Sequence, residues 1–168
     1  MGAARVVSVP ALRFNEYPAI LPFGFHSRSV DEVRKICVAD FPHSTTRAEI
    51  IAGLEQIIEA LNASKVAGEL WIDGSFLTVK TDPGDVDIVF HAKIANGVDP
   101  GEPDHVIVLT WLNSNLHESH LCDSYISLEN PDGSPPPAGD RAYWHKQFAY
   151  SRGTLSKGIA VVEIGARP

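Results

Sequence analysis

Asp85 and Asp87 stand one residue apart at the head of an apolar run. Just upstream, Gly74-Ser75 closes another such run, with nine residues between Ser75 and Asp85. Side chains alternate between faces along a strand. Asp85 and Asp87 therefore point the same way, and Val86, Ile88 and Phe90 point to the opposite, buried face. Two carboxylates held together on one face repel each other, and a divalent cation bound between them removes that cost. Gly74 and Ser75 fall where the first run turns, a place where a backbone can approach phosphate. Asp73, beside the turn, is expected to brace it through backbone amides.

The elements that must hold these residues can be read from spacing. Glu69 to Asp73 reads as a short strand and Val86 to His91 as its antiparallel neighbour, with a helical turn or loop over Phe76 to Thr81. Ser29 to Glu32 forms a capping box opening a helix over Val30 to Val38, which buries Val33, Ile36 and Cys37. Thr46 to Glu49 reads as a second capping box. It opens an amphipathic helix over Arg47 to Ala63 that buries Ile50, Ile51, Leu54, Ile57, Ile58 and Leu61.

Asp104 to Leu116 fits helix or strand. Pro103 as a first-turn residue favours helix, while Val106 to Leu109 favours strand. Leu121 to Leu128 alternates as a strand, with Asp123, Tyr125 and Ser127 on one face and Cys122, Ser124, Ile126 and Leu128 on the other. Residues 130–139 are a proline-rich loop, Arg141 to Tyr150 a short helix, and Gly158 to Ile164 a last strand. Residues 1–28 read as an irregular arm packed on the domain, with one edge strand near Ala4 to Val9. Residues 29–168 then form a single α+β domain, a small mixed β-sheet backed by helices.

Composition narrows the partners. The net charge of −7 argues against a standing complex with duplex nucleic acid, whose phosphates attract basic surfaces. Cys37 and Cys122 lack zinc-ligand spacing and read as free thiols in a reducing cytoplasm. No apolar run approaches the length of a membrane span, so no membrane partner is expected. His117, His120 and His145 show no completed ligand set and read as surface residues. Trp71 and Trp144 read as core anchors. Tyr125 is open to two readings, an exposed strand residue or a ring that stacks on a base.

The order strand, Gly74-Ser75, spacer, Asp85-Val86-Asp87 resembles the nucleotidyltransferase superfamily, which includes DNA polymerase beta. More narrowly, three stretches are similar to a family of small bacterial nucleotidyltransferase-like proteins: Phe41 to Arg47, Trp71 to Phe76, and Tyr143 to Phe148 with Lys157-Gly158. The resemblance implies a nucleotidyltransferase-like fold with a third carboxylate on a later strand, for which Asp123 is the candidate. It implies that Asp85, Asp87 and Asp123 bind Mg2+ or Mn2+ and form the catalytic set. Gly74, Ser75 and Lys80 would bind the phosphates of a nucleoside triphosphate such as ATP, with Arg152 and Lys157 as further neutralising cations. The acceptor would be a protein, an RNA end or a small molecule. The alternative is a catalytically silent module on the same fold, such as an antitoxin-like or regulatory subunit.

Overall fold

Apolar spacing and capping account for most of the elements. In this computed structural model, residues 16–151 and 155–165 are described. The first half holds strand β1 (Gly24–Ser27), helix α1 (Val30–Arg34) running into a wider π turn (Lys35–Ala39), and helix α2 (Arg47–Ala63). Strand β2 (Gly68–Asp73), a 3-10 turn (Ser75–Leu77) and strand β3 (Val86–Lys93) follow. The second half holds helices α3 (Pro103–Leu112) and α4 (His117–His120), strand β4 (Cys122–Glu129), helix α5 (Arg141–Phe148) and strand β5 (Gly158–Ile164).

The Ser29 capping box forms as expected: the Ser29 hydroxyl accepts from the Glu32 amide, and the Glu32 carboxylate accepts from the Ser29 amide at 2.7 Å. The Thr46 box does not form. Thr46 adopts helical backbone angles, and its hydroxyl is buried without a partner. Ser44 takes over, its hydroxyl accepting from the amides of Thr46 and Arg47 at 3.3 and 3.2 Å. A residue already in the helical region cannot swing its side chain onto the terminal amides, so the cap moves upstream. Residues 103–112 resolve as helix, with Pro103 in the first turn where its missing N–H costs nothing.

The strands form one mixed sheet in the order β1-β5-β2-β3-β4. β2 runs antiparallel to both β3 and β5, whereas β4 is parallel to β3, and β1 is parallel to β5. One sheet face carries Leu70, Ile72, Val86, Ile88 and Phe90. It packs on the apolar stripe of α2, with Val33 of α1 and Val108 and Leu112 of α3. The other face carries Trp71, Val89, Ile159 and Val161 under Trp144 and Phe148 of α5. Complete burial of each such side chain contributes about 1.5–3 kcal/mol, which fixes both the register and the face of every strand.

Residues 16–28, the described part of the arm, are more regular than their prolines imply. Residues 24–27 form edge strand β1 on β5, and Ala19 bridges Thr78. Four residues are too few to show a period, so the strand is invisible in the pattern. The edge strand expected at Ala4 to Val9 lies outside the described residues. Cys37 and Cys122 are buried free thiols, and burial pushes the Cys37 thiol up to about 12. Among the described residues, no helix is long and apolar enough to cross a membrane.

Candidate active site

Pairing register turns the sequence pattern into a row of acids. Asp73 at the end of β2 stands opposite Asp87 on β3, and Asp87 stands opposite Asp123 on β4. One line across three strands therefore carries three aspartates, and Asp85 lies two residues before the central one. Like charges placed directly opposite destabilise a sheet. Burial pushes the Asp87 carboxyl up to about 7, and repulsion from Asp85, Asp73 and Asp123 adds to that, against a downward pull from Lys157. Burial also raises Asp73 to about 6, opposed by Lys157 and by the Gly74 amide.

Asp73 is therefore more than the loop brace anticipated from the sequence. Its Oδ2 accepts from Lys157 Nζ at 2.7 Å in a buried ion pair. Its other oxygen, Oδ1, is buried without a hydrogen-bond partner. Lys157 thus holds an aspartate rather than standing ready as a free phosphate cation. Arg152 lies outside the described residues.

The turn between β2 and β3 presses against this row. Gly74 has φ 83°, and a Cβ built there would strike Asp87 Oδ2. Glycine alone lets the central carboxylate lie against the turn. Ser75 opens the 3-10 turn, and the Thr78 hydroxyl donates to the Ser75 carbonyl at 2.7 Å.

Arg47, fully buried at the start of α2, then pins the rest of the loop. Its guanidinium donates to the carbonyls of Cys37, Phe76, Thr78, Lys80 and Thr81 at 2.6 to 3.2 Å. The Phe41 ring covers it at 3.8 Å. Asp82 closes the same corner by accepting from the Thr45 amide at 2.7 Å and from the hydroxyls of Ser44 and Thr45. The stretch from Phe41 to Arg47 is thus the scaffold of the Gly74-Ser75 loop.

The turn and the acids open into a cavity of about 680 Å³. Asp73, Gly74, Ser75, Lys80, Asp85, Asp87 and Lys157 line its polar side, and Trp144 and Phe148 of α5 line the facing wall. All four tyrosines of the chain, Tyr17, Tyr125, Tyr143 and Tyr150, also line it. Each is more than a third exposed, from 37% at Tyr17 to 48% at Tyr143 and Tyr150. Gly74, Ser75, Lys80, Asp85 and Asp87 are thus brought to one place, and the strand pairing adds Asp123. Trp71 and Trp144 are core residues, as their size suggests.

His117 is the residue that sequence reasoning set aside. It is half-exposed, yet its Nδ1 lies 3.0 Å from Asp123 Oδ1 and 3.7 Å from Asp85 Oδ2. One ligand atom from each of Asp85, His117 and Asp123 falls within 4.8 Å of the other two. No local signal marks this. Leu121 takes a left-handed conformation, φ 51°, and folds α4 back beside the start of β4. Leucine rarely adopts that conformation, and its side chain does not announce it.

The chain belongs to the Family of unknown function (DUF6932), which it matches over residues 12–163. No curated protein and no solved structure matches it.

Proposed function

We propose that this chain is a metal-dependent nucleotidyltransferase, moving a nucleoside monophosphate from a nucleoside triphosphate to an acceptor hydroxyl. One observation carries the reading. Asp85, Asp87 and Asp123 converge at one end of two adjacent strands, beside a glycine turn that presses on Asp87. The residues fit a hard divalent cation: the cluster is rich in carboxylate oxygen, and Asp87 holds its proton up to about 7 because it is buried and faces Asp85, Asp73 and Asp123, a cost that a bound cation would offset. Asp85, Asp87 and Asp123 would hold Mg2+ or Mn2+, which when bound stabilises the attacking and leaving oxygens of an in-line displacement.

The chain's own groups divide the remaining work. The Ser75 hydroxyl and the Lys80 ammonium bind the terminal phosphates. Asp123, the most exposed of the row, accepts the proton of the incoming hydroxyl. The tyrosine-lined cavity offers flat faces for a base, and stacking on such a ring is worth about 1–3 kcal/mol per base. The acceptor is a protein, an RNA end or a small molecule.

The test is incubation with labelled ATP, CTP, GTP or UTP, a divalent cation and a cell extract. Label transfer that requires the cation and disappears in Asp87→Ala is expected. Nucleotide affinity unchanged in the Asp85→Ala/Asp87→Ala variant would remove these residues from the site and the reading with them.

A further inference from the structure

We propose that His117 Nδ1 completes a mixed nitrogen–oxygen site with Asp85 and Asp123, one that takes a divalent transition metal in preference to Mg2+. The inference deepens the preceding reading and rests on its carboxylates. It adds a ligand from an element outside the strand pattern and names the class of cation.

Geometry comes first. Ligand atoms that share one ion at about 2.1 Å sit about 3.0–3.4 Å from each other. His117 Nδ1 is already 3.0 Å from Asp123 Oδ1 and 3.7 Å from Asp85 Oδ2. All three candidate ligand atoms lie within 4.8 Å of one another, so small side-chain rotations close the set. The donors come from three separate places: the loop before β3, the start of β4 and the first residue of α4.

The backbone holds His117 there. The Leu121 amide donates to the His117 carbonyl at 3.0 Å, and the Val86 amide donates to the Leu121 carbonyl at 3.0 Å, tying α4 to the head of β3. Asn115 Oδ1 accepts from the His117 amide at 3.1 Å. On the other side, Gly53 of α2 lets the His120 carbonyl approach so closely that a Cβ would strike it. Glycine in a helix interior costs about 0.5–1 kcal/mol, and its use here brings α4 close against α2.

Charge supplies the second line. Asp73, in the same cross-strand row and almost wholly buried, keeps one carboxylate oxygen without a partner although Lys157 engages the other. The row thus keeps an unsatisfied buried carboxylate oxygen beside the ion pair to Lys157.

Ligand chemistry then selects the ion. Mg2+ demands oxygen ligands in near-ideal octahedral order and gives up water reluctantly. An imidazole nitrogen favours Fe2+, Co2+ or Zn2+ and is accepted by Mn2+ more readily than by Mg2+; affinity for nitrogen donors rises from Mn2+ through Fe2+ and Co2+ to copper and falls again at Zn2+.

The experiment uses Mn2+ as the probe on the full chain after chelator treatment. Binding is followed by the electron-spin signal of free Mn2+, and its coordination by pulsed spin-echo modulation from nitrogen. Wild type is expected to show nitrogen coupling and to prefer Mn2+ over Mg2+ in competition. His117→Gln is expected to lose the coupling and to bind Mn2+ about 10–100-fold more weakly, at least the cost of losing an outer-shell partner. Mg2+ binding should change little. His120→Ala, on the same short helix, should keep the coupling and serves as the folded control.

Oxygen-only coordination in wild type overturns the proposal, as does unchanged Mn2+ affinity in His117→Gln. Nitrogen coupling without nucleotide transfer would leave this site standing and remove the nucleotidyltransferase reading. Oxygen-only binding with Asp87-dependent label transfer would do the reverse.

Discussion

Replacing Asp87 by asparagine tests whether the aspartate row is an electrostatic cost held for function. In metal-free protein near pH 8 the Asp87 carboxylate is charged, half-buried, and beside Asp85, Asp73 and Asp123. Its carboxyl group is pushed from 3.8 to about 7. At about 1.4 kcal/mol for each tenfold change in proton affinity, that interval corresponds to about 4 kcal/mol against the charged form. Water entry and side-chain movement relax part of this, so the expected stabilisation in Asp87→Asn is about 1–3 kcal/mol. For a domain of this size each kcal/mol raises Tm by about 2–4 °C. The assay is thermal and urea unfolding at pH 8 with chelator, repeated with saturating Mn2+. Wild type should gain stability with metal, and the variant should start higher and gain little. A variant less stable than wild type without metal, or one that keeps the full metal-dependent rise, refutes the reasoning.

Three further outcomes are expected. Asp73 and Asp87 have folded values raised above their unfolded ones, so the native state binds the extra protons. Their contribution is full below about pH 4 and is lost as pH rises through about 6 and 7, so metal-free wild type should weaken over that window while Asp87→Asn weakens less, as urea midpoints will show. Arg47→Met leaves three buried and two part-buried carbonyls without their donor and should cost about 3 kcal/mol or more in urea unfolding, whereas a loss under about 1 kcal/mol would mean the loop does not depend on it. Gly53→Ala should lower Tm although alanine is the better helix former by about 1 kcal/mol, because the new methyl displaces α4, and it should weaken Mn2+ binding with it.

Much of this molecule is legible along the chain. Helix α2 reads from Arg47 to Ala63 because its apolar residues recur at helical spacing, and a long amphipathic pattern has one way to bury itself. The faces of β3 and β4 read from alternation, which set Asp85 with Asp87 on one strand and Asp123 with Tyr125 on the other; that Asp123 stands beside Asp87 comes from the parallel register. Gly74 reads as a turn because glycine at the end of an apolar run has few other uses. The capping box at Ser29 was legible, but the failure of the matching pattern at Thr46 was not, since the two sites share the pattern and differ in the backbone angles of the first residue.

What remained hidden needs two segments at once. Asp73 joins the acidic row only through the antiparallel register of β2 on β3, and Lys157 finds Asp73 across 84 positions of chain. His117 reaches Asp85 and Asp123 through a left-handed Leu121 and a close approach of α4 to Gly53, neither of which has a local pattern. Local chemistry decides which face a side chain takes, because neighbouring residues share one backbone. Which carboxylate meets which cation or imidazole is decided by packing between elements, where the sum of many contacts sets the register and no single residue records the result.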